Sequence, residues 1–296
     1  KTMHDLEDSG GAADVSPNKI TYSTCILAWR NSKRQDAGMR AEALLETMER
    51  FEREGGSRGE DLRPNAIAYT NTMEAWISSR DLGYLDRVED LLERMLERSR
   101  RGDSESAPTS TTFNVVLKAI RHSSHPAKYQ KAEKLLNLMK KMHEDGDNRV
   151  EPTIYTYNAF FSACASTQGS DEDKVKAFSM VLSALVELQD IQHLRADAYT
   201  WPAVWKACEN LLDVKQDSAW INRVFELTVK SGCVNELLFN NMRRFLPEQY
   251  LQKKLKTTKE VRELTVHDLP RDWTCQVKLG AAGKKPSKRQ HSQKRK

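Results

Sequence analysis

Five times along this chain an aromatic residue is followed six positions later by alanine: Tyr22 and Ala28, Tyr69 and Ala75, Phe113 and Ala119, Tyr157 and Ala163, Trp201 and Ala207. The aromatics are spaced by 47, 44, 44 and 44 residues. Self-similarity at such a period marks a solenoid, in which each unit buries its apolar face only against its neighbours. A single closed core is thereby disfavoured, although 296 residues would accommodate two ordinary globular domains.

Each aromatic leads to a second apolar series at a fixed distance of 19 or 20 residues. The series are Ala41, Leu44, Leu45, Met48; Val88, Leu91, Leu92, Met95; Ala132, Leu135, Leu136, Met139; Ala177, Met180, Val181, Ala184; and Ile221, Val224, Phe225, Thr228. Spacings of i, i+3, i+4, i+7 place each series on one helix face. In the preceding helix the aromatic, the residue four on (Ile26, Met73, Leu117, Phe161, Trp205) and the alanine form a second stripe. The fold class expected is all-α, a right-handed α-solenoid of helix-turn-helix repeats. An alanine held at one position in every unit implies backbones in close approach, because a larger side chain would overpack the seam.

Since the distance within each helix pair is constant, variation in period falls in loops after the second helix. Residues 55–59, 102–107 and 145–150 read that way, being rich in Gly, Ser and Asp. The glycines at 55–59 are not followed by the Gly-Lys-Ser/Thr of a phosphate-binding loop. Units open at Asn18, Asn65, Thr109, Thr153 and Asp197, all good helix N-caps. A last half-unit starts at Asn235 with Phe239 in the aromatic register and Phe245 in place of alanine, which reads as a capping helix. The boundaries expected are a disordered segment 1–16, a solenoid 17–255, and an extension 256–296 ending in a basic disordered tail.

The net charge of +5 misleads about the repeats, because residues 280–296 carry seven Lys and Arg and no acid, leaving about −2 elsewhere. Nucleic-acid binding therefore cannot be argued from global charge. Five cysteines without a CxxC pair argue against a disulfide framework. Cys164 and Cys208 share one repeat position, held elsewhere by Trp29, Trp76 and Ile120, and read as buried apolar side chains in a reducing compartment. No apolar run reaches the length of a membrane span, so no membrane partner is expected.

Three segments carry a family resemblance: Tyr-Asn-Ala-Phe-Phe-Ser-Ala-Cys at 157–164, Ala-Glu-Ala-Leu-Leu-Glu-Thr-Met at 41–48, and Pro64-Asn65 closing a unit. On these residues the chain resembles pentatricopeptide repeat proteins, in a variant with repeats of about 44 residues where the family's usual unit is about 35. The tetratricopeptide pattern fits worse. The resemblance implies binding of single-stranded RNA at one base per repeat, in organellar RNA processing, stability or translation, with a mitochondrial or plastid location. It implies that the residue after each aromatic and the residue closing the repeat meet one base edge. Carried over by position, the pairs are Ser23 with Asn65, Thr70 with Thr109, Asn114 with Thr153, Asn158 with Asp197, and Pro202 with Asn235. By the family's pairing preferences these imply adenine, a purine, a pyrimidine and uracil in turn, while Pro202 has no group to read a base. The position two before the aromatic holds Ile20, Ile67, Thr111, Tyr155 and Tyr199, of which Tyr155 and Tyr199 are expected to stack on bases.

Every closing residue is equally explained as an N-cap, so base contact and capping stay as alternatives. No enzyme, cofactor, metal or small-molecule substrate is expected. Asp171, Glu172 and Asp173 follow Ser170 at a helix start and read as capping acids, and His122 and His125 have no further ligand at metal spacing. A protein-interaction scaffold on the same solenoid is the second function class.

Overall fold

The computed structural model describes residues 17–55, 62–191, 193–213 and 218–277. The N-terminal segment 1–16, most of the glycine-rich loop and the basic tail lie outside the described residues. The chain divides into two compact units, Lys1–Asp217 and Ser218–Lys296, and all its described elements are helical.

Unit 1 contains α1 (Lys19–Ser32), α2 (Ala37–Glu54), α3 (Ala66–Ser79), α4 (Tyr84–Arg100), α5 (Ser110–His122), α6 (Lys128–Glu144), α7 (Ile154–Ala165), α8 (Asp171–Asp190) and α9 (Thr200–Leu211). Each odd-numbered helix packs on the next odd one, and each even-numbered helix packs on the odd helices before and after it. This is the two-layer helical-repeat solenoid that the 44-residue register predicts. The core follows the two stripes. All five aromatics and the residues four positions later are buried, as is the second series in α2, α4, α6 and α8 except half-buried Leu44 and Met180.

The alanine position is fully buried at Ala75, Ala119, Ala163 and Ala207, but Ala28 is exposed. The register makes the five alanines equivalent, and Ala28 departs for a simple reason: this face of an odd helix meets the preceding repeat, and among the described residues nothing packs there on α1. Close approach is direct at Gly38, near the start of α2. A Cβ added to Gly38 would stand 2.9 Å from the Trp76 Cα and nearer still to its indole ring. Opposite it, the Trp76 indole N–H donates to Glu42 Oε2 at 2.8 Å.

Charges join one repeat to the next along the even helices. Arg94 on α4 reaches Glu42 at 3.2 Å and Glu49 at 2.5 Å on α2, and Arg98 reaches Glu52 at 2.7 Å. Glu89 pairs with Lys131 at 2.6 Å, and Lys140 with Glu187 at 2.5 Å. Exposed pairs of this kind contribute at most about 1 kcal/mol each, but Glu42 is buried. Burial pushes its carboxyl above the usual range, against the Trp76 bond and the charge of Arg94. Sign alternation between neighbours thus accounts for a nearly neutral body.

The connections that the sequence presents as linkers form an ordered edge. Ser106 Oγ donates to the Pro64 carbonyl at 2.7 Å, and the Ala66 N–H to the Glu105 carbonyl at 2.8 Å. One repeat further, Ser110 Oγ donates to the Glu151 carbonyl at 2.8 Å and Arg149 to the Ser104 carbonyl at 3.1 Å. Leu62, Ala107 and Val150 are buried beneath these bonds. The residues that lengthen the period therefore tie successive repeats together. Asp103 anchors the edge. Burial raises its carboxyl pKa, but bonds from Ser106 and the guanidinium of Arg98 outweigh burial and hold it below the usual range.

Unit 2 contains α10 (Ser218–Lys230), α11 (Glu236–Phe245), α12 (Glu248–Leu255), single 3-10 turns at Val261–Glu263 and Val266–Asp268, and α13 (Arg271–Thr274). The stretch after Leu255 folds back, burying Val261, Leu264, Val266, Leu269 and Trp273. Trp273 and Tyr250 both meet the Phe225 ring edge-on, at 5.3 and 5.5 Å between centroids. Aromatic edge contacts of this kind add about 0.5–1.5 kcal/mol beyond burial.

Candidate nucleic-acid interface

The first turns of α1, α3, α5, α7 and α9 repeat one arrangement. The capping residue's side-chain oxygen accepts from the backbone N–H three residues on: Asn65 from Ala68 at 3.0 Å, Thr109 from Thr112 and Thr153 from Thr156 at 3.4 Å, and Asp197 from Thr200 at 2.8 Å. Where that third residue is Thr, its hydroxyl accepts in return from the capping residue's own N–H, as at Thr112, Thr156 and Thr200. The capping alternative is therefore realised at Asn65, Thr109 and Thr153, whereas Asp197 lies three residues ahead of α9 and makes its bonds as an Asx turn. Capping occupies one acceptor and leaves the rest of each side chain on the outside of the turn. The recurring Thr three residues on is the sequence signal of this reciprocal box, and it marks the same register position as the caps.

Two positions before each aromatic, the side chain stands in solvent. Ile20, Ile67, Tyr155 and Tyr199 are 63–76% exposed and Thr111 is exposed as well. The same exposure recurs at one register position, helix after helix, so these side chains take no part in the core. Three residues on along the same helix face, Ser23, Thr70, Asn114, Asn158 and Pro202 are each half-buried. Solvent-exposed and half-buried positions thus form two parallel rows on the odd helices.

In the second row the structure brings together one of the five expected pairs by a direct bond. Asn158 Nδ2 donates to Asp197 Oδ1 at 3.3 Å. That oxygen also takes the Tyr199 and Thr200 amides and the Thr200 hydroxyl, so four donors converge on one carboxylate oxygen. Thr70 is engaged differently, donating to the Ala66 carbonyl at 2.6 Å and lying 3.3 Å from the Thr112 hydroxyl rather than bonding to Thr109. For Ser23 with Asn65, Asn114 with Thr153 and Pro202 with Asn235, no direct bond joins the two members among the described residues.

Asn114 and Asn158 share a further property: the Oδ1 of each is buried with no hydrogen-bond partner. An unmet buried acceptor costs about 1–3 kcal/mol. Asn240, which follows Phe239 in unit 2 at the same register position, carries the same unmet oxygen. Reading the last half-unit as a cap alone overlooks it, although Asn after an aromatic is the visible signal.

The electrostatics of the odd-helix face are local. Lys118 is tied to Glu74 at 2.6 Å and Arg30 to Asn71 at 2.9 Å. Around the end of α5, burial first and then the charges of Arg121, Lys118 and Lys128 push His122 below its ordinary pKa. Elsewhere Asp173 closes a capping box with Ser170 and accepts from the Tyr129 hydroxyl at 3.0 Å. His125 Nδ1 accepts from the Ala127 N–H at 3.1 Å. Burial pushes the Cys164 and Cys208 thiols far above their ordinary values, as apolar packing residues require.

A family model described as a pentatricopeptide repeat domain matches residues 124–167. The matched stretch runs from the turn before α6 to the end of α7, the same 44-residue period as the register, and includes Thr153, Tyr155 and Asn158. No curated protein matches the chain.

Proposed function

We propose that the repeats, across residues 17–255, bind single-stranded RNA along the odd-helix face, at about one base per repeat, without catalysing a reaction. Pentatricopeptide repeats generally serve as RNA-binding or helical-scaffold modules, and the match at residues 124–167 lies on the segment that holds Asn158. The observation that carries the reading is the pairing of two rows: Asn158 and Asp197 meet in one hydrogen bond, with exposed Tyr155 three residues before the first and exposed Tyr199 two residues after the second. Flat aromatic faces stack on bases of any kind, and an amide beside a carboxylate presents both donors and acceptors to a base edge. Ser23 with Asn65, Thr70 with Thr109 and Asn114 with Thr153 are the further base-reading pairs of this proposal, with a role in organellar transcripts in a mitochondrion or plastid.

The test is binding of short labelled RNAs that vary one base at a time. Asn158→Ala is expected to weaken binding roughly tenfold, and Asp197→Asn, which keeps a capping oxygen, to change which base is preferred in that slot. Unchanged affinity and unchanged base preference in both folded variants would sink the base-reading role. A scaffold reading is favoured by one observation, that Arg94, Lys131 and Lys140 of the even helices are taken up in ion pairs between repeats. Capture of a protein complex that survives nuclease treatment, together with no RNA binding, would establish it instead.

A further inference from the structure

Two stretches of unit 2 that are distant in sequence meet edge to edge. The Gln276 N–H donates to the Gly232 carbonyl and the Val234 N–H to the Trp273 carbonyl, both at 2.9 Å. Gly232 and Val234 flank Cys233, and their partners Gln276 and Trp273 bracket Thr274 and Cys275, so the two bonds hold the backbone at Cys233 against the backbone at Cys275. Arg271–Thr274 is a helical turn, and Cys275 continues it with helical backbone angles.

Gly232 gives an independent reading of the same closeness. Its φ is +67°, and a Cβ placed on it would collide with Cys275 Sγ. The Cys275 sulfur therefore rests on the residue adjacent to Cys233. A disulfide spans Cα separations of about 4.4–6.8 Å, so closing it asks for a local approach of two segments that these two bonds already hold together. Both residues are thiols in this structure, Cys275 exposed and Cys233 half-buried, so oxidants reach the pair, whereas Cys164 and Cys208 are sealed in unit 1.

We propose that Cys233 and Cys275 are an oxidation site that closes reversibly to a disulfide, stapling the folded-back stretch 256–277 to the turn ahead of α11. The inference is independent of RNA binding. With oxidised glutathione as the oxidant, the Cys275 thiolate attacks one glutathione sulfur, forming a mixed disulfide and releasing one glutathione thiolate. The Cys233 thiolate then attacks Cys275 Sγ, releasing the second glutathione thiolate, and the two cysteine protons end on the two glutathiones. The closed loop constrains the unfolded chain, so the oxidised form is the more stable one.

The experiment treats the full chain with oxidised glutathione and maps peptides without reduction. The expected result is a linked peptide containing Cys233 and Cys275, with an unfolding midpoint raised by more than about 4 °C that returns on addition of dithiothreitol. Cys233→Ser is expected to hold glutathione on Cys275 and to show no such shift; Cys275→Ser, at an exposed position, serves as the second variant. Glutathione retained on Cys275 in the unsubstituted chain with no linked peptide overturns the proposal, as does linkage of either residue mainly to Cys25.

Discussion

Asn158 and Ala163 lie on the same helix, α7, and answer to different demands. Asn158 is half-buried, with its amide nitrogen bonded to Asp197 and its amide oxygen unmet. Ala163 is fully buried. Ala163→Leu is expected to destabilise unit 1 by about 1–3 kcal/mol through overpacking, measured by urea denaturation. Ala28→Leu, at the same register position but exposed, is expected to change stability by no more than about 0.5 kcal/mol. Equal losses in the two variants would show that the alanine position does not work as a seam. The position and its period are visible in the sequence. That the first member has no neighbour among the described residues required the packing to be seen.

At the scale of the element, the hairpins are held by shape on one side and by charge on the other. Gly38 lets α2 settle on the backbone of α3 at Trp76, and the Trp76 indole then reaches Glu42. Substituting alanine for glycine inside a helix ordinarily stabilises by about 0.5–1 kcal/mol. Here the added methyl meets the Trp76 backbone, so Gly38→Ala is expected to lower the unfolding midpoint instead, measured by thermal denaturation. A rise in the midpoint would show that α2 can shift away at little cost. Helix existence and helix faces were legible because their apolar periods are local, within 19 or 20 residues. The ordered edge was not. Gly, Ser and Asp at 102–107 look the same in a slack linker as in a stretch bonded to Pro64 and Arg149, since composition carries no information about partners about 40 residues away.

For the whole molecule, charge is divided between a nearly neutral repeat array and a basic tail, residues 280–296. If RNA binds the repeats, removal of 280–296 is expected to weaken binding at low salt and flatten its dependence on salt by about 0.7 in log–log slope for each phosphate that the tail neutralises, while base preference persists. Loss of base preference along with affinity would place recognition in the tail and away from Asn158 and Asp197. The amino-acid sequence by itself determined the repeat, its 44-residue period, the all-α class and the register that aligns Ser23, Thr70, Asn114, Asn158 and Pro202, because periodic burial writes itself into periodic composition. Only the tertiary structure decided which of those residues bond across repeats, which amide oxygens lack a partner, that the connecting loops pack on one another, and that Cys275 Sγ rests against Gly232 beside Cys233. Those facts depend on the distances between segments remote in the chain, and such distances are set by how helices and loops pack rather than by any local pattern of residues.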